Sequence, residues 1–78
     1  MKKIDEKLQA ALEKAVLLAG SQVAFAKLCG VKQPYVSQWL KRNRSKGLPV
    51  KYVIAVEKGL NEKITREELR PDLYPIEN

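Results

Sequence analysis

Gly30 divides two short helical patterns, and that division is the strongest constraint this chain carries. In Gln22 to Arg42, QVAFAKLCGVKQPYVSQWLKR, the residues Phe25, Ala26, Leu28 and Cys29 share one helical face before the glycine. Val36, Trp39 and Leu40 share another after it. A turn between two steeply crossing helices needs a residue in the left-handed backbone region, which glycine enters without steric cost. Val31 follows and is placed to plug the space between the helices. Pro34 falls in a first helical turn, where its missing N–H would be unpaired anyway. Two short helices about such a turn make a helix-turn-helix, in which the second helix projects from the body.

Charge singles out the same stretch. No acidic residue lies between Glu13 and Glu57, whereas Lys14, Lys27, Lys32, Lys41, Arg42, Arg44, Lys46 and Lys51 all do. Residues 1–51 hold eleven Lys and Arg against three acids, and residues 52–78 hold four against six. A basic body with a slightly acidic end suits a polyanionic partner. With 78 residues the chain fits one small domain, residues 1–78, and a hydrophobic fraction of 45% favours a folded chain over a disordered one.

Around the central pair the spacing predicts more helix. Ile4, Leu8, Ala11, Leu12, Ala15, Leu18 and Ala19 recur at three- and four-residue steps, with Asp5 and Glu6 near the positive end of the dipole and Gly20 closing the helix. Ser21 has the chemistry to cap the next one, about Gln22 to Cys29. The third starts near Gln33 or Pro34. Asn43 to Leu48 reads as a polar, basic loop. Pro49 opens a fourth helix with Val50, Val53 and Ile54 spaced for burial and Gly59 at its end. Thr65 to Glu68 has capping-box spacing for a last helical turn through Leu69. Beyond it, Pro71 to Pro75 is expected to run extended and pin Leu73 and Tyr74 on the core, within a C-terminal extension of residues 65–78. The expected fold is all-α, a compact bundle of about five short helices around a helix-turn-helix at 22–42. Tyr52 to Val56 is rich in β-branched and aromatic residues, so an α+β ending with strands in residues 50–70 stays open.

The chemistry of the projecting helix points to double-stranded DNA. The major groove admits one helix, whose side chains reach the base edges. Gln33 and Gln38 can donate and accept together, as bidentate pairing with adenine requires. Lys32, Tyr35 and Ser37 complete the candidate base-reading set. Phosphate contacts are expected from Ser21 and Gln22 at the start of the second helix, and from Lys41, Arg42, Arg44 and Lys46 beyond the third. Trp39, Tyr52 and Tyr74 read as packing residues.

Other functions fit less well. The chain has no histidine, which removes His-based acid–base pairs, triads and metal sites, and no Gly-rich phosphate loop is present. No enzymatic activity, cofactor or metal is expected. Cys29 is the single cysteine, so no intrachain disulfide can form, and its apolar setting marks it as a small core residue. The longest apolar run, Ala15 to Ala19, is too short for a membrane span or a signal segment, which makes a cytoplasmic location the expectation. RNA reading would call for aromatic stacking platforms that the sequence lacks. The rival is a protein-interaction module, an antitoxin or anti-repressor gripping a protein partner. Such a module would be expected to expose apolar anchors rather than Gln, Ser, Gln and Lys.

Gln22, Ala26, Gly30, Val31, Val36 and Trp39 together resemble the helix-turn-helix of the lambda-repressor-like superfamily, in particular Cro-type and YdaS-type prophage regulators. The ending Leu69 to Pro75, LRPDLYP, resembles the tail of the YdaS-type group. The resemblance implies that Lys32, Gln33, Ser37 and Gln38 read bases and that Gln22 holds a phosphate. Pro34 and Tyr35 are bulkier than the residues common at those positions. The implied function is a Cro-like repressor of phage or prophage origin. It would bind a palindromic operator as a homodimer, since one helix reads too few base pairs alone. An antitoxin role, with a toxin as protein partner, is also within what the resemblance implies.

Overall fold

The computed structural model describes residues 2–41 and 47–74, with side chains from residue 6 onward. Helix α1 runs Lys2–Ala19, α2 Gln22–Cys29 and α3 Gln33–Leu40. A 3-10 turn at Val50–Tyr52 leads into α4, Val53–Gly59, and a last short helix, α5, spans Arg66–Leu69. The described residues contain no strand, which settles residues 50–70 as helical and turn structure.

Each helix end has a local cause. Gly20 stops α1 at φ +106, its N–H shared between the carbonyls of Val16 and Leu17. Ser21 then caps α2, its hydroxyl accepting from the Ala24 N–H at 3.1 Å. At the other end Gly30 adopts φ +75. Its N–H donates to the Lys27 carbonyl while the Val31 N–H donates to the Ala26 carbonyl. This is the paired closure that a left-handed residue after a helix permits. The end of α4 repeats it with Asn61 at φ 54, whose N–H donates to Lys58, and with Glu62, whose N–H donates to Glu57. Gly59 is the last residue of α4, as expected, but Asn61 and Glu62 turn the chain. Gly59 instead lets α4 approach α2, because a Cβ there would run into the side chain of Leu28.

One core joins all five helices. Leu8, Leu12, Ala15 and Val16 of α1, Phe25 and Ala26 of α2, Val36 of α3 and Val53 and Val56 of α4 are buried, with Leu60, Ile64 and Leu69 closing it. Losing a ring such as that of Phe25, fully buried at 0% exposure, would cost roughly 3–5 kcal/mol. Several sequence expectations fail here. Leu18 and Val50 were spaced for burial but are exposed, and Val16 takes the place of Leu18 on the inner face. Leu73 is exposed too, while Tyr74 packs on the core as expected. The segment before Tyr74 is a turn rather than extended, since the N–H groups of Leu73 and Tyr74 both donate to the Arg70 carbonyl. Leu48, assigned to the polar loop, is fully buried, and its carbonyl accepts from Nη1 of Arg70 at 2.9 Å.

Candidate nucleic-acid interface

Helix α3 packs on the body through fully buried Val36, with Trp39 and Leu40 half-buried against the core. The Trp39 ring lies 5.2 Å from that of Tyr52, which joins α3 to the 3-10 turn. The rest of the helix faces outward. Lys32, at its N-cap, Tyr35, Gln38 and Lys41 are exposed, and Gln33 and Ser37 are half-buried. Arg42, Arg44 and Lys46 lie outside the described residues.

The starts of α2 and α3 meet. Nε2 of Gln33 donates to Oε1 of Gln22 at 2.6 Å. Each amide keeps capacity after that bond. Gln22 retains its NH2, and Gln33 retains its oxygen and a second N–H, the donor and acceptor pair that an adenine edge matches. Ser21 accepts from Ala24 and still has its hydroxyl proton to donate. The N–H groups of Gln22 and Val23, in the first turn of α2 and without a carbonyl partner inside the helix, lie beside them, an arrangement that suits an anion.

The basic stretch needs one correction. Lys14 is neutralised by Glu68 of α5, Nζ to Oε2 at 3.1 Å, although the two are 54 positions apart. Among the described residues no ion pair involves Lys27, Lys32, Lys41 or Lys51. The Lys51 ammonium lies 5.7 Å from the centre of the Tyr52 ring, close to α3 through the Trp39 contact. The surface around α3 thus keeps its positive charge.

Two positions escaped the sequence reading. Gln9 is buried, and its Nε2 donates to the carbonyl of Leu40 at the end of α3, at 2.7 Å. The signal was available: Gln9 lies three and seven residues before Leu12 and Val16, in register with the apolar face. Arg70 binds Asp72 through Nε at 3.0 Å and Nη2 at 2.7 Å, besides holding Leu48. That accounts for the Arg-Pro-Asp of the tail physically, as a clamp on the return of the chain to the core.

Burial pushes the Cys29 thiol up to about 11. Among the described residues no three His, Cys, Asp or Glu gather as metal ligands, and no helix is long and apolar enough to cross a membrane.

The profile of the family described as "Bacterial toxin YdaS" matches residues 12–77. The chain is also 39% identical over 61 residues to the Escherichia coli K12 protein named "Putative transcriptional regulator YdaS". That match covers 78% of this chain but only 60% of the relative, so the chain spans about three fifths of that protein's length. No solved structure matches the chain. With most of its length matched by the family profile, the chain belongs to the YdaS family.

Proposed function

We propose that this protein is a sequence-specific transcriptional regulator that binds double-stranded DNA through α3. The observation that carries the reading is the amide bond shared by Gln22 and Gln33, set at the joint of a helix-turn-helix in a stretch of sequence with no carboxylate between Glu13 and Glu57. Such a bond couples a group beside the phosphate backbone to one aimed at base edges, which suits simultaneous positioning and reading. Lys32, Gln33, Tyr35, Ser37 and Gln38 would read bases. Ser21, Gln22 and Lys41, with Arg42, Arg44 and Lys46, would hold phosphates. The reading takes the protein as a repressor binding a palindromic operator as a homodimer in the cytoplasm, two copies doubling the contacts.

The names of the family and of the relative pull apart, toxin against regulator, and the surface chemistry favours the regulator. A second reading, a module gripping a protein partner in a toxin–antitoxin pair, draws on Leu17 at 80% and Val23 at 54% exposure. Those apolar side chains lie on α1 and α2 rather than on the outward face of α3.

Selection of bound sequences from a random duplex library, followed by affinity measurement at several salt concentrations, tests the proposal. The expected result is one recovered half-site in two-fold repeat, with a log–log salt slope of roughly −0.9 per phosphate contact. Failure to recover any sequence, or an affinity indifferent to salt, would refute it.

A further inference from the structure

We propose that Gln9, on α1, is a positioning residue for the far end of α3. Its buried amide sets the angle at which Gln38 and Lys41 meet a duplex. The inference rests on the DNA-binding reading above. The side chain is 8% exposed, and its Nε2–H reaches the Leu40 carbonyl at 2.7 Å across 31 positions of sequence. Leu40 is the last residue of α3, and the final carbonyls of a helix have no partner within it. Gln9 supplies that partner from the body of the protein. Reversing the amide would set oxygen against oxygen, so the donor has to face Leu40.

That orientation has a cost. Oε1 of Gln9 is left buried without a hydrogen-bond partner. A buried orphan acceptor destabilises a fold; an apolar side chain of similar length would remove it but leave the Leu40 carbonyl without its donor, so the exchange is close to neutral for stability. Lysine or arginine could bind the same carbonyl, but would bring a charge into the core. Stability alone is therefore a poor account of glutamine here. What the amide does and an apolar side chain cannot is fix the end of α3 in direction.

The other end is fixed in the same manner. Gln33, the first residue of α3, is bonded to Gln22 of α2 at 2.6 Å. Among the described residues these are the two side-chain hydrogen bonds that join α3 to another helix, one at each end. A rod held at both ends presents one face. Released at the Gln9 end, it would keep Gln33 in place while Gln38 and Lys41 shift.

Gln9→Leu and Gln9→Met test this in the full chain. Each variant is measured against a duplex carrying the selected half-sites and against a scrambled duplex of the same composition. The melting temperature is expected to stay within about 5 °C of the parent. The ratio of selected to scrambled affinity should fall about tenfold, the scale of one lost bidentate base contact. Repeated selection should show relaxed preference at one end of the half-site only. A ratio that stays unchanged in the folded variants overturns the proposal. So does an equal loss on both duplexes, and so does a failure of both variants to fold, which would make Gln9 a stability residue. If the parent protein itself prefers no sequence, the DNA reading falls, and this inference with it.

Discussion

Gln33 and Gln22, the first residues of α3 and α2, are bonded side chain to side chain at 2.6 Å across the turn. Replacing either by alanine should weaken operator binding. The double variant should lose less than the sum of the singles, by roughly 0.5–1.5 kcal/mol, because each single already breaks the shared bond. A double-mutant cycle on operator affinity measures that coupling. Strict additivity would mean that the two amides act independently.

The glycines of the two turns should differ in what they tolerate. At Gly30, φ +75, a Cβ would meet nothing within 4 Å, so Gly30→Ala carries only the left-handed backbone penalty, about 1–2 kcal/mol. Gly47 at φ +86 would set its Cβ 2.8 Å from Leu8 Cβ and 3.1 Å from the Leu8 carbonyl oxygen. Gly47→Ala should cost roughly 1–3 kcal/mol more, since α1 has to move. Urea midpoints rank the two, and the opposite order would contradict the packing described.

Glu57 is nearly buried and accepts from Nε of Arg66 at 2.9 Å, the two side chains being 11% and 41% exposed. Arg66→Ala would leave that carboxylate without its cation and remove the guanidinium lying 5.9 Å from the Tyr74 ring centre. A loss of about 1–3 kcal/mol is expected, below that of a fully buried pair because Arg66 is partly solvated. Glu57→Gln, which keeps an acceptor and drops the charge, should cost less. Thermal melts of the two variants decide it.

The Arg70 guanidinium holds the Asp72 carboxyl below its ordinary value of 3.8. The folded state therefore binds this proton less readily than the unfolded one. The stabilisation is in place above about pH 3.8 and disappears as pH falls through the lower folded value. Asp72→Asn should flatten the acid limb of stability against pH by lowering the neutral plateau, the parent and the variant converging at low pH where the parent's stabilisation is already lost. Melts on both sides of that pH, for the parent and the variant, provide the comparison.

Burial raises the Cys29 thiol from 9.0 to about 11, so at mildly alkaline pH the folded protein holds about a hundredfold less thiolate than an exposed cysteine. Iodoacetamide should label the native chain slowly and the denatured chain fast. Equal rates would place Cys29 at the surface.

Much of this fold was legible because it depends on local rules. The left-handed turn at Gly30, the caps at Ser21 and Thr65, and the inward faces of α2 and α3 each follow from a few neighbouring residues. What failed depends on partners far along the chain. Leu48 is buried because Leu8 and Arg70 converge on its segment, and nothing in a basic loop announces that. Leu18, Val50 and Leu73 keep apolar spacing, but spacing defines a face without saying what covers it. At the candidate interface the outward residues of α3 could be found by subtracting the buried ones. The Gln22–Gln33 bond, the Gln9 tie and the loss of Lys14 to Glu68 needed the angles between helices.

Helix α5 gives that dependence a direction in time. Leu69 is fully buried and Glu68 grips Lys14 of α1, so the first and last helices close the core together. A chain emerging from the ribosome completes the turn at Gly30 early, from local contacts alone. It lacks the last wall of its core until residues 66–69 arrive. The helix pair and the two ties that aim α3 are thus made well before the wall of α5 that completes the core behind them.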